Sequence, residues 1–115
     1  MRARFAALFG FLALVLQAQF APRLIRRVEP VYPPLAKAMR IQGTVRLAAV
    51  IDDDGTVAGL KLISGHPLLV QAAMDAVKQW RYRPAERNGK TVRAVISVAV
   101  GFDLSYRPPE QSTRI

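Results

Sequence analysis

Residues 64–85 read SGHPLLVQAAMDAVKQWRYRPA and contain the clearest helical pattern of the chain. Apolar side chains recur every three or four positions, which places them on one side of a helix; they are Leu69, Ala73, Ala76, Val77 and Trp80. Polar side chains fill the opposite side: Gln71, Asp75, Lys78 and Gln79. Pro84 stops any helix because its ring fixes φ and biases the preceding residue away from helical angles. The stretch therefore predicts an amphipathic helix over residues 67–82.

The residues before this helix predict a shorter helix and a β-hairpin. Prolines at 33–34 suit the first turn of a helix, where a missing N–H costs nothing, and Gly43 is expected to end that helix. Residues 44–52 alternate inward and outward side chains as a strand does. The Asp-Gly pair at 54–55 suits a tight turn, after which residues 56–64 return as a second strand.

The last strand pattern is also the most regular, because every second residue from 92 to 104 is apolar. The elements follow in the order helix, strand, strand, helix, strand. They can bury their apolar faces if the third strand lies beside the first and both helices pack on the apolar face of the sheet. We therefore predict an α+β fold, an αββαβ two-layer sandwich with a three-stranded antiparallel sheet and two helices on one face. The third strand is then an edge strand, whose unpaired backbone groups can accept a further strand.

Seven residues with special backbone or aromatic roles support a resemblance to a known family: Tyr32, Pro33, Gly43, Gly55, Trp80, Tyr82 and Pro84. Their order and spacing over residues 28–104 resemble the C-terminal domain of the TonB energy-transducer family. That resemblance implies the same αββαβ fold and a structural role for these seven residues.

The resemblance also implies a binding partner. In TonB-like domains, a short N-terminal peptide segment of an outer-membrane TonB-dependent receptor is added beside the final strand. The partner-binding residues expected here are Arg93, Val95, Ser97, Val98, Ala99, Val100, Gly101 and Phe102.

The N-terminal segment predicts export. Two arginines, Arg2 and Arg4, precede a twelve-residue apolar run and then small residues, the order of a signal peptide. The run is shorter than the roughly 20 residues of a membrane-spanning helix. We expect residues 1–18 to be a signal peptide or short signal anchor, 19–30 a basic connector, 31–104 the TonB C-terminal-like domain and 105–115 a flexible tail. The expected location is the periplasm, or alternatively the inner membrane facing the periplasm.

Several chemical functions are not supported by the residues. The chain has no cysteine and a single histidine, His66, which precedes Pro67 and is expected to help start the second helix. The run Asp52-Asp53-Asp54-Gly55 resembles the start of a calcium loop, but the twelfth residue, where such a loop needs glutamate, is Ile63. No nucleophile with a base and an orienting group is recognisable. We expect no enzymatic activity, no metal site and no cofactor.

The net charge of +9 leaves alternatives open. A basic cluster surrounds the end of the second helix and could bind acidic partners, an anionic envelope polymer or nucleic acid: Arg81, Arg83, Arg87, Lys90 and Arg93. Nucleic acid is not the expected partner of an exported protein. An anchored chain could instead be a short energy transducer coupled to ExbB and ExbD, although residues 1–21 lack the histidine that the family's membrane helix carries. A homodimer through exposed strand edges also stays open.

Overall fold

A computed structural model describes residues 20–105. The predicted signal segment 1–18 and the predicted tail beyond Ser105 lie outside these residues. The described part forms two helices and seven strands: β1 Arg23–Arg26, α1 Pro34–Ala38, β2 Gly43–Ile51, β3 Val57–Ser64, α2 Pro67–Val77, β4 Arg81–Arg83, β5 Ala85–Arg87, β6 Lys90–Val92 and β7 Ala94–Phe102.

The main sheet has three antiparallel strands in the order β3-β2-β7. All nine residues of β7 pair with β2, from Gly43 opposite Phe102 to Ile51 opposite Ala94, without a break in register. The predicted antiparallel sheet, with the last strand beside the first, is therefore confirmed. Because β2 is central, β7 forms one edge of the sheet and β3 the other.

The core lies between one face of this sheet and the helices. Alternate residues of β2 are fully buried, as expected for a strand with one face against a core. The inward residues of β7 and the apolar stripe of α2 belong to the same cluster. Its strand and helix members include Val45, Leu47, Ala49, Ile51, Leu69, Ala73, Val77, Val98, Val100 and Phe102. The predicted two-layer arrangement follows from this shared core.

Both helices begin where the sequence predicts and end earlier. His66 is the N-cap of α2, and its Nδ1 accepts a hydrogen bond from the backbone N–H of Leu68 at 3.1 Å. The prediction that α2 runs to residue 82 is wrong. The N–H groups of Gln79 and Trp80 bond to carbonyls three residues back, which tightens the last turn and releases the chain into β4. Similarly, α1 ends at Ala38 and not at Gly43, which instead begins β2.

Two small strand pairs were not predicted. β1 pairs antiparallel with β4, so the segment 19–30, expected to be a connector, contributes a strand to the fold. β5 and β6 form a hairpin, and the strand predicted over residues 91–104 is consequently divided at Arg93 between β6 and β7. The first pair joins the N-terminal segment to the chain after α2, and isolated bridges link Thr56 to Arg81 and Phe20 to Glu86.

Among residues 20–105, no helix has the length and apolarity that crossing a membrane requires.

Candidate partner-binding edge

The free edge of β7 is the feature that the sequence singled out for binding. Within residues 20–105, no strand pairs with the side of β7 that faces away from β2. In an antiparallel ladder, residues alternate between those that bond to the neighbouring strand and those whose N–H and C=O groups point away. Every second residue of β7 therefore presents an N–H and a C=O at the edge.

The predicted partner-binding residues divide into two sets along β7. Four of them lie on the outer face and are exposed: Val95, Ser97, Ala99 and Gly101. The other three, Val98, Val100 and Phe102, are buried in the core. A partner strand added at this edge would therefore contact backbone along the whole strand but side chains mainly of the exposed set.

Arg93 lies just before β7 and makes an ion pair with Asp52, with Nη2 3.5 Å from Oδ2. The arginine side chain is mostly exposed, so the pair is of the surface type that contributes little to stability. Arg93 remains positioned at the start of the edge, where a partner's carboxylate could compete with Asp52.

Two cavities open at the two ends of β7. One, of about 510 Å³, is lined by the chain around Phe20 and by the first residues of β7, including Val95 and Ile96. The other, of about 430 Å³, lies between the segment 27–32 and the last residues of β7, including Gly101 and Phe102. The N-terminal segment thus approaches both ends of the edge strand.

Tyr32 and Pro33 anchor the N-terminal segment near the second cavity. The Tyr32 hydroxyl donates a hydrogen bond to the carbonyl of Ile41, and its ring meets Phe102 edge-on with 5.4 Å between ring centres. Pro33 is the N-cap of α1. These contacts hold the segment against the C-terminal end of β7.

Trp80 and Tyr82 are buried, as the sequence predicted for Trp80. The indole Nε1–H of Trp80 donates to the carbonyl of Val28 at 2.9 Å, and the Arg27 guanidinium lies 5.3 Å from the ring centre. The second contact has the geometry of a cation–π interaction. Trp80 therefore joins the N-terminal segment to the core, and its burial leaves no ring face free to stack on a ligand.

Gly55, Tyr82 and Pro84 meet at the hairpin turn. Gly55 has a φ of +87°. The backbone N–H of Tyr82 donates a 2.9 Å hydrogen bond to the carbonyl of Gly55. The position that a Cβ would occupy on Gly55 is 2.0 Å from the Tyr82 carbonyl oxygen and 3.6 Å from Pro84 Cδ. Burial raises the pKa of Tyr82. Gly55 and Tyr82 are thus in direct contact, and Pro84 lies beside them.

The three aspartates of the turn serve the turn itself. Their carboxylate oxygens lie within 4.8 Å of one another, but Asp54 accepts from both the N–H and hydroxyl of Thr56. The hydroxyl bond, the backbone bond and, to a smaller extent, the Arg81 charge hold the pKa of Asp54 below its ordinary value. Asp52 is engaged by Arg93. Two of the three carboxylates, those of Asp52 and Asp54, are therefore already bound by donors of the same chain.

The basic cluster predicted from the sequence is spread over β4, β5, β6 and Arg93, which lies between β6 and β7, and its five members are all exposed. The structure adds Arg23 and Arg26 of β1, which pair directly with Arg83 and Arg81 of β4. Sequence reasoning noted the arginines of segment 19–30 but had no pattern from which to predict this pairing.

A family model described as "Gram-negative bacterial TonB protein C-terminal" matches residues 28–104. The chain is 38% identical over 68 residues to Protein TonB of Klebsiella pneumoniae, a match covering 57% of this chain and 28% of that protein. It is 36% identical over 78 residues to Protein tonB2 of Pseudomonas aeruginosa, covering 66% and 29% respectively. The matched part thus spans less than a third of either relative.

A solved structure has the same fold. The solution NMR structure of the Pseudomonas aeruginosa TonB CTD superimposes with a TM-score of 0.61 at 26% sequence identity. The match covers 76% of this chain and 90% of that structure. The predicted αββαβ architecture agrees with it.

Proposed function

Because the chain belongs to the TonB family through its C-terminal domain, we propose that it is a periplasmic binding module that captures the N-terminal peptide of an outer-membrane transport receptor by β-strand addition. The proposed role is in TonB-dependent transport and involves binding without catalysis. Family membership is consistent with TonB energy transduction. Coupling to ExbB and ExbD belongs to the alternative proposal, in which the chain is a short energy transducer anchored in the inner membrane.

The observation that carries this proposal is the free edge of β7. Nine residues of this strand pair on one side only within the described chain. Its exposed side chains from Val95 to Gly101 are all uncharged, so they present no charge against an incoming backbone. Strand addition uses main-chain hydrogen bonds for affinity and alternate side-chain contacts for specificity.

The expected binding is weak and reversible. Four or five new backbone hydrogen bonds contribute about 1 kcal/mol each, and the ordering of a flexible peptide opposes this gain. The cavities at the two ends of β7 would accept side chains of the peptide and so supply specificity. Arg93 at the start of the edge would add attraction for an acidic side chain.

Hydrogen exchange can test this mode directly. In the free protein, the β7 amides that point to β2 should exchange slowly, whereas the alternate amides should exchange rapidly. Addition of a receptor N-terminal peptide should slow the second set, about tenfold or more when the peptide is saturating, because each gains a backbone acceptor. The readout is residue-resolved exchange followed by NMR.

The matched control is the same receptor peptide with proline at alternate positions, which removes the donors needed for a ladder. This peptide should leave β7 exchange unchanged. Protection confined to residues 81–93, together with competition by single-stranded nucleic acid or an anionic polymer, would contradict strand addition and favour the polyanion alternative.

A further inference from the structure

The ribbon formed by β1 and β4 gathers four arginines on one face. Directly opposite residues of an antiparallel pair share a face, and Arg23 is opposite Arg83 while Arg26 is opposite Arg81. All four side chains are exposed. Between the two rungs, Tyr82 points the other way into the core. We name this set of four the arginine face.

A register shift creates the second rung of the arginine face. Regular pairing after Arg23 and Leu24 would place Ile25, not Arg26, opposite Arg81, because an antiparallel ladder advances by one residue on each strand. Arg26 would then lie on the opposite face from Arg23. The pairing instead shifts between Leu24 and Arg26, so that Ile25 is the extra residue of a bulge. Bulges re-aim side chains, and this one brings Arg26 to the same face as Arg23.

The arginine face carries charge that the described chain does not neutralise by ion pairing. The two ion pairs found within residues 20–105 belong to other arginines, Arg27 with Glu29 and Arg93 with Asp52. Arg81 donates one hydrogen bond to the carbonyl of Trp80 and weakly lowers the pKa of Asp54, whose main perturbation is the Thr56 hydroxyl. Like charges directly opposite each other destabilise a strand pair. An anionic ligand would reverse that effect.

The spacing of the arginine face fits one kind of anion. Arg81 and Arg83 are two residues apart on an extended strand, which corresponds to about 6.6 Å along the strand. Alternate side chains of a second extended peptide have the same separation. Two carboxylates at alternate positions could therefore each meet one arginine rung, and arginine binds carboxylates in a bidentate manner.

A cavity of about 460 Å³ adjoins the first rung. Arg23 and Arg83 line it together with apolar residues and one acidic residue: Phe20, Ala21, Pro22, Pro84 and Glu86. Phe20 is 61% exposed there. The apolar part of the cavity, formed by Phe20, Ala21, Pro22 and Pro84, would accept an apolar side chain next to the acidic positions of a peptide, whereas a uniform polyanion has no such group.

We propose that the arginine face binds an extended acidic peptide segment with carboxylates at alternate positions, followed by an apolar side chain that enters the adjoining cavity. This site lies on the β1–β4 ribbon and does not depend on strand addition at β7.

Peptide titration of the full chain tests the proposal. The probe is a labelled peptide in which four glutamates alternate with threonines and a leucine ends the sequence. Its binding is measured by fluorescence anisotropy at low salt. The double variant Arg26→Gln/Arg83→Gln should weaken binding about tenfold or more, because a charge-assisted contact is lost on each rung. The matched control is Arg46→Gln/Lys61→Gln, which removes the same charge from exposed positions of β2 and β3. It should weaken binding less than about threefold.

Two further ligands decide between a peptide site and a general anion site. A peptide with the same four glutamates at every third position should bind at least about threefold more weakly, because its carboxylates do not share one face when extended. Equal affinity for the two peptides would overturn the proposal. Tighter binding of inorganic polyphosphate, lost in the same double variant, would also overturn it and identify a polyanion site. Equal losses in the two double variants would overturn it as well.

Thermal unfolding gives an independent test without ligand. Relief of the repulsion between Arg23 and Arg83 in the single variant Arg83→Gln should raise the melting temperature by up to about a few degrees at low salt. The increase should shrink at high salt, where exposed charges are screened. A lower melting temperature would show that Arg83 stabilises the free chain, and it would overturn the premise of an anion-dependent face.

Discussion

Trp80→Ala is expected to unfold the domain or to leave it only marginally folded. Trp80 is 4% exposed, and its truncation removes the largest aromatic group of the core together with its hydrogen bond to Val28. Loss of a buried tryptophan costs about 3 to 5 kcal/mol of the free energy of unfolding, against about 5 to 15 kcal/mol for a whole domain. The chain has no disulfide to compensate, since it has no cysteine. Urea denaturation followed by far-ultraviolet circular dichroism measures the change.

Trp80→Phe is the milder comparison, because it removes the hydrogen bond but only part of the buried ring. Phenylalanine keeps an apolar ring in the core but has no N–H for the Val28 carbonyl. Val28 is partly buried, and loss of the hydrogen bond is expected to cost about 1 to 2 kcal/mol. The smaller ring adds a packing cost, which is lower than that of Trp80→Ala. If Trp80→Ala left the urea midpoint unchanged, the side chain would have to be exposed in solution and its assignment to the core would be wrong.

The main sheet could be predicted from the sequence because its pattern is imposed by one dominant force. Each long strand has one face against the core, so burial of apolar side chains produces alternation over nine residues in β2 and β7. The position of β7 at an edge then followed from packing order alone. The edge could therefore be predicted from sequence, whereas the partner-binding residues along it were expected from the family resemblance and stay a prediction.

The small ribbons could not be predicted because no repeating pattern specifies them. β4, β5 and β6 have three residues each, and β1 is exposed along its whole length. Periodicity also extended the second helix too far: Trp80 lies at a helical spacing from Val77, and it is buried whether or not the helix continues. Tertiary pairing of β4 with β1 overrides that local preference. The arginine face depends on this pairing and on its bulge, so it is accessible only from the structure.

Gly55→Ala adds only one methyl group but is expected to destabilise the domain strongly. An added Cβ would lie 2.0 Å from the carbonyl oxygen of Tyr82, a distance that the backbone can relieve only by moving β4 away from the turn. That movement would break the 2.9 Å hydrogen bond from the Tyr82 N–H to Gly55 and disturb the buried Tyr82 ring. Backbone strain of about 1 to 2 kcal/mol from the positive φ adds to about 1 to 3 kcal/mol for overpacking.

Gly89→Ala provides a matched control for this prediction, because Gly89 has a similar φ of +78° but no atom within 4 Å of the added Cβ. Its cost should be limited to the backbone strain of about 1 to 2 kcal/mol. The difference in the free energy of unfolding between the two variants, measured by urea denaturation, therefore isolates the steric contribution of the Tyr82 carbonyl. Equal losses in the two variants would mean that the turn relaxes without cost and that Gly55 is required only for its φ. A larger loss in Gly55→Ala, accompanied by faster exchange of the Tyr82 amide, would establish that the close approach of the turn to β4 stabilises the domain.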